Sequence, residues 1–96
     1  MSNYEDELER LRSMIDDVDY DLYNSIMRRV FLTSEIGELK KEHNVFEMSE
    51  SRQKEIYERL KSRCIEDGIP VSLITSIYDI IFEFSIMEQV LIINDK

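Results

Sequence analysis

The sequence predicts an all-α fold of three helices, one very long and two shorter, in an intertwined homodimer. The 96 residues include only two Gly and one Pro, too few turn residues for a β-rich fold of this size. Apolar residues recur with heptad spacing along the first part of the chain. No repeat or linker divides the sequence, and its length suits one domain, so we predict a single domain over residues 1–96.

The first helix is predicted from Glu5 to about Glu42, where Pro is absent and Gly37 is the only Gly. Its span is about 55 Å, whereas a compact monomer of this length is about 30–35 Å across. A second chain must therefore cover its apolar seam, and an antiparallel two-fold dimer is the simplest closed arrangement. The seam consists of two heptad rows, Leu8, Ile15, Leu22 and Ile36 in one and Leu11, Val18, Leu32 and Leu39 in the other.

The second helix is predicted after a break at His43 and Asn44. Ser49 is a suitable N-cap for a helix that runs to about residue 67. Ile56 and Leu60 are predicted on its buried side.

The third helix is predicted from residue 71 or 72 to about residue 93. Gly68 and Pro70 before it are the usual signals that end the preceding helix. Its many isoleucines could indicate a strand, but its length and the recurrence of Ile74, Ile77 and Ile81 favour a buried helix.

Charge and composition exclude several classes of function. A net charge of −9 argues against nucleic-acid partners and anionic membranes, which both need clustered Lys and Arg. Cys64 is the only cysteine, so neither an intrachain disulfide nor a multi-thiolate metal site is expected. The most apolar stretch, 71–93, is interrupted by carboxylates at Asp79, Glu83 and Glu88, which a membrane span would not carry. Without a signal peptide, the sequence predicts a cytoplasmic protein.

Two cations on the first helix depart from the apolar pattern. Arg29 lies in a heptad row that is otherwise apolar, and a buried guanidinium needs an anionic partner or solvent. Lys40 follows eleven residues later, on the same face and about 16 Å along the axis. Taken singly, Arg29 could form a salt bridge and Lys40 could be a solvated cation near the helix end.

Polar residues of the other helices extend this pattern. Arg52 is predicted on the same face as Ile56, and Ser85 and Gln89 share one stripe of the third helix. A buried Gln needs a partner, either an interhelical hydrogen bond or a ligand. We interpret the inward-facing polar set as a pre-formed pocket for a small anion; its members are Arg29, Lys40, Arg52, Ser85 and Gln89.

These residues occur in blocks that resemble the all-helical chorismate mutases. The run 11–19, Leu-Arg-Ser-Met-Ile-Asp-Asp-Val-Asp, resembles the opening of that family, and Arg29 with the run 36–41, Ile-Gly-Glu-Leu-Lys-Lys, resembles its next block. Arg52 matches a basic position early in the second helix, while Ser85 and Gln89 match the closing block. The matches keep the family's order and spacing over nearly the whole chain.

The resemblance implies an isomerase that rearranges chorismate to prephenate in Phe and Tyr biosynthesis, with neither cofactor nor metal. It implies that Arg29 binds one substrate carboxylate and that Arg12 of the partner subunit binds the other. Lys40 would contact a carboxylate and the ether oxygen, and Gln89 would donate to the same oxygen. Arg52 and Ser85 would complete the pocket, and the substrate would be a dianion.

The proposed origin of Arg12 agrees with helix geometry. Arg12 precedes Arg29 by seventeen residues, about 25 Å along one helix. It could reach a ligand of Arg29 only from an antiparallel second chain.

Two positions depart from the family pattern. Ser49 and Gln53 replace residues that are often acidic in relatives and that hold the substrate hydroxyl. Both can still form hydrogen bonds, but they keep open an isochorismate-pyruvate lyase on the same scaffold. A non-catalytic helical dimerisation module also explains the heptads and the acidic surface, but not the inward-facing cations.

Overall fold

The chain forms three helices and, over the described residues 3–95, no strand. In this computed structural model, α1 spans Asn3–Glu42, α2 spans Glu50–Asp67 and α3 spans Val71–Asn94. Each boundary lies within two residues of the predicted one, so the all-α prediction is confirmed. None of the helices in the described part of the chain has the length and apolar character needed to cross a membrane.

The break after α1 occurs at the two predicted residues. Helix α1 ends at Glu42, and Asn44 adopts a left-handed φ of 55°, a conformation that Asn tolerates better than most residues. The amide of Val45 then donates to the carbonyl of Lys40 at 2.9 Å. This turn leads the chain into the short segment 43–49.

Helix α2 is capped at both ends as predicted. The Ser49 hydroxyl accepts a hydrogen bond from the Arg52 amide at 3.2 Å, which satisfies one of the free amides of the first turn. Gly68 has a φ of 67°, and the amide of Ile69 donates to the Cys64 carbonyl at 3.0 Å. This left-handed glycine ends the helix and allows α3 to begin at Val71.

The chain divides into two compact units, one up to Leu32 and the other from Thr33 onward. In the second unit α2 and α3 pack against each other. Cys64 and Phe82 are its buried apolar residues, and the rings of Tyr57 and Tyr78 meet the Phe82 ring edge-on at 5.0 and 5.6 Å. Cys64 is therefore a packing residue of α2.

The first unit is a length of α1 that buries none of its described residues. The apolar residues of its predicted seam are about half exposed, with exposed fractions of 47% for Leu11, 58% for Ile15, 62% for Val18 and 56% for Leu22. An amphipathic helix owes most of its stability to packing of its apolar face. This unit lacks that packing within its own residues.

Gly37 permits a close approach between the end of α1 and α3. A Cβ at this position would lie 3.1 Å from Ile92 Cδ1 and 3.3 Å from Ile92 Cβ. Gly within a helix costs about 1 kcal/mol relative to Ala. The close contact with Ile92 explains why a glycine nevertheless occupies this position.

We expect Gly37→Ala to destabilise the protein by about 1 kcal/mol, because overpacking costs about 1–3 kcal/mol and outweighs the gain in helix propensity. Chemical denaturation measures the free energy of unfolding. Adding Ile92→Ala to Gly37→Ala should remove the contact with Cδ1 and leave the one with Cβ, so that Gly37→Ala costs less in the Ile92→Ala background than in the wild type. A Gly37→Ala protein more stable than the wild type would contradict this account.

Candidate active site

Lys40, in the last turn of α1, joins three parts of the second unit. Its ammonium donates to Gln89 Oε1 of α3 at 2.8 Å and to the backbone carbonyl of Glu47 at 2.9 Å. Its third neighbour is the sulfur of Met48 at 3.7 Å. The side chain is half-buried. Its partners place the ammonium where α1, the segment 43–49 and α3 meet.

The bond to Lys40 fixes which end of the Gln89 amide is available. An ammonium has no acceptor atoms, so the amide oxygen must face it. The NH₂ group of Gln89 is then left to donate elsewhere. The junction therefore offers N–H donors from two side chains and suits an oxygen that carries or develops negative charge.

Ser85 lies one helical turn before Gln89 on the same face of α3. It is buried, with 8% of its surface exposed. The stripe of α3 that contains Ser85 and Gln89 is buried or half-buried throughout; its members are Tyr78, Ile81, Ser85, Gln89 and Ile92. The stripe places Ser85 and Gln89 on the side of α3 that packs, in line with their predicted position on one face of the helix.

Arg52 is exposed in the single chain, and its place in the pocket stays a prediction. Its side chain is 55% exposed and donates to Glu55 Oε1 at 2.6 Å. Arg52 lies in the first turn of α2, where Glu55, three residues later, provides a carboxylate on the surface. Ile56 and Leu60, further along the same face, are half-buried as predicted.

Ser49 and Gln53 take different positions at the start of α2. The exposed Ser49 hydroxyl serves as the N-cap of the helix and lies 3.2 Å from the Ser51 hydroxyl. Gln53 is half-buried and lines a groove of about 770 Å³ between α2 and α3. The Ser49 hydroxyl is therefore already used as an acceptor by the Arg52 amide, whereas the side chain of Gln53 faces the groove.

The same groove holds a tyrosine–carboxylate pair. The Tyr57 hydroxyl donates to Asp79. This hydrogen bond, helped by desolvation and by the charge of Asp79, raises the pKa of Tyr57 above its ordinary value of 10.0. This hydrogen bond links α2 to α3 among the residues that line the groove.

Arg12 and Arg29 belong to the first unit. Arg12 is exposed, and Arg29 is half-buried although its heptad row is otherwise apolar. His43 is exposed in the turn after α1. Among residues 3–95, no group of three or more His, Cys, Asp and Glu side chains is arranged to hold a metal ion.

The sequence did not reveal two features near Lys40. One is the contact with the segment 43–49, because a backbone carbonyl such as that of Glu47 has no sequence signature. The other is a hydrogen bond from Ser34 Oγ to Glu88 Oε1 at 2.5 Å. Glu88 appeared only as a carboxylate within an apolar stretch, and its position next to Gln89 was the signal that could have revealed it.

Comparison with known proteins gives two matches. The family described as chorismate mutase type II matches residues 11–90. A 4-amino-4-deoxychorismate mutase of Streptomyces venezuelae is 30% identical over 77 residues, which are 80% of this chain and 75% of that protein. No solved structure matches. These matches favour neither the lyase nor the non-catalytic module.

Proposed function

This chain belongs to the type II chorismate mutase family and is an isomerase of that type, and on this premise we propose that it rearranges chorismate to prephenate as a homodimer. Each of two active sites would take residues from both chains. The observation that carries the proposal is the bond between Lys40 and Gln89, at 2.8 Å. The product would supply Phe and Tyr biosynthesis, as the family implies.

The donor pair suits the reaction because negative charge develops on the ether oxygen as its bond to carbon breaks. Donors fixed in advance at that oxygen stabilise the transition state more than the ground state. Lys40 is held by Glu47 and Gln89, and Gln89 is held by Lys40. Neither needs to lose a proton, so this step needs neither a general base nor a nucleophile.

The carboxylates of the substrate need cations, since a chain with a net charge of −9 repels a dianion elsewhere. We assign Arg29 and the partner subunit's Arg12 to these carboxylates. Arg52 adds a third guanidinium, and its exposed pair with Glu55 is worth less than about 1 kcal/mol. Arg52 can therefore leave Glu55 for the substrate at little cost. Ser85 completes the lining of the pocket.

The homodimer is supported by apolar faces that the single chain leaves exposed. Besides the α1 seam, α3 carries an exposed row with the spacing of a heptad seam, at Leu73, Ile77, Ile80, Phe84, Met87 and Leu91. The exposed fractions in this row run from 45% to 70%. Contiguous apolar surface of this kind marks an interface, and a second copy with two-fold symmetry closes it. The single domain over residues 1–96 would complete its core only in that dimer.

The substrate is assigned from the chemistry of Ser49 and Gln53. The 4-amino analogue carries an ammonium at neutral pH in the position of the chorismate hydroxyl, and an ammonium favours a carboxylate partner. Ser49 and Gln53 are neutral, and the Ser49 hydroxyl already accepts the Arg52 amide. This pairing favours the hydroxyl of chorismate. The lone buried thiol of Cys64 fits a reducing compartment, so we also propose a cytoplasmic location.

An assay of the purified protein with three substrates tests this assignment. We expect chorismate to be converted to prephenate with kcat/KM at least about tenfold above that for 4-amino-4-deoxychorismate, the effect of one unpaired charge. Isochorismate should yield no salicylate. Preference for the amino analogue, or salicylate formation, would overturn the substrate assignment.

The role of the donor pair is tested by Lys40→Ala and Gln89→Ala. Each should lower kcat by about 10²–10³-fold, the usual cost of one transition-state donor, with helical content unchanged by circular dichroism. Lys41→Ala is the matched control, one residue further along α1, and should keep wild-type activity. A fully active Lys40→Ala protein would refute the mechanism.

Subunit mixing tests the contribution of Arg12 across the interface. Arg12→Ala and Arg29→Ala should each be inactive alone. Refolded together in equal amounts, they should recover about one quarter of wild-type activity, because half of the dimers are mixed and each mixed dimer has one intact site. If both arginines acted within one chain, mixing would restore nothing.

A further inference from the structure

The Ser34–Glu88 hydrogen bond lies beside the donor pair without belonging to it, and we propose that it positions Gln89 against Lys40. Ser34 and Glu88 would then be positioning residues for the reaction, acting through Gln89 and not on the substrate. This inference rests on the proposed function only for its kinetic consequence. Its structural part concerns the free protein.

The bond connects α1 to α3 at 2.5 Å, the length of a hydrogen bond from a hydroxyl to a charged carboxylate. It is partly buried, and it joins residues 54 positions apart in the sequence. Charge-assisted bonds are about twice as strong as neutral ones. The contact can therefore hold the two helices in one relative position.

The carboxylate of Glu88 is only half satisfied. Oε1 accepts from Ser34, whereas Oε2 is buried and is not reached by any hydrogen-bond donor of the described residues. A buried acceptor without a donor is destabilising. Stability alone therefore favours an apolar residue at position 88, and a specific geometric role accounts for a glutamate there.

The location of the bond indicates what it positions. Glu88 directly precedes Gln89, and Ser34 lies six residues before Lys40, about 9 Å along α1. A single bond between Lys40 and Gln89 would let α3 pivot about that point. A bond at Ser34, with the Gly37–Ile92 contact between the two, removes this freedom.

The arrangement also protects the donor pair during catalysis. The substrate oxygen would accept from the remaining N–H groups of Lys40 and Gln89, so any movement of α3 relative to α1 would change the distance between that oxygen and one of its donors. Ser34 and Glu88 make a contact that the substrate does not use. Gln89 is then held ready for the transition state, when small errors of position are costly.

Variants of the pair test the proposal. Ser34→Ala and Glu88→Ala should each lower kcat by about tenfold, the value of one hydrogen bond, with KM changed by less than about twofold. Glu88→Gln keeps an oxygen for Ser34 and should restore most of the activity. Glu83→Gln, at an exposed position of the same helix, is the matched control and should resemble the wild type.

A double-mutant cycle separates positioning from a merely structural role. In a Gln89→Ala background, Ser34→Ala should cause no further loss of kcat, because the group that it positions is gone. A loss of the same size in both backgrounds would overturn the proposal. So would wild-type kcat in both Ser34→Ala and Glu88→Ala.

The side-chain amide of Gln89 provides a readout without substrate. Its ¹⁵N–¹H signals, assigned by their loss in Gln89→Ala, should shift in Ser34→Ala and Glu88→Ala and stay in place in Glu83→Gln. Unshifted signals in the alanine variants would overturn the positioning role. If the wild type fails to convert chorismate, the proposed function fails, while the amide signals still decide whether the pair positions Gln89.

Discussion

The hydrogen bond from Lys40 Nζ to Gln89 Oε1 is the contact that couples the proposed site to the packing of α1 against α3 in the second unit. It joins residues 49 positions apart, so it forms only when the end of α1 lies against α3. It also determines the chemistry, because an amide whose oxygen is engaged presents its N–H groups. In the proposed mechanism, this contact would therefore make catalysis depend on the packing of two helices, and a change in that packing would alter the positions of the donors without replacing either of them.

The contact depends on a small residue at position 37 and on an uncharged side chain at position 89. Gly37 lets α1 approach Ile92 closely, and a neutral Gln89 accepts from Lys40 without forming an ion pair. A glutamate at position 89 would also accept from Lys40 while ionised, but it could donate only when protonated. The glutamine is a donor at any pH at which the protein is folded, which suits a reaction that moves no proton.

The helices were predictable because their signals are local: heptad spacing, the Ser49 cap, and the Gly68 and Pro70 stop. The proximity of the Lys40 and Gln89 side chains could also be predicted, since polar residues on apolar faces need hydrogen-bond partners. The exposure of Arg52 in the single chain was not predicted, because face periodicity indicates which side of a helix a residue occupies but not whether its side chain pairs with a surface carboxylate such as Glu55. The segment 43–49 contributes through a backbone carbonyl, and no residue type encodes that contact.

The proposed contribution of Arg12 from a second chain depends on the apolar seam of α1 as much as on charge. A helix such as α1 cannot keep its seam in water and remain stable by propensity alone. The partner that covers the seam would also deliver Arg12, so folding and substrate binding would share one interface. An acidic chain would gain from this arrangement, because cations from two chains could exceed the local negative charge that either chain presents alone. Covering the apolar seam would thus also create the one region of positive potential that a dianion requires.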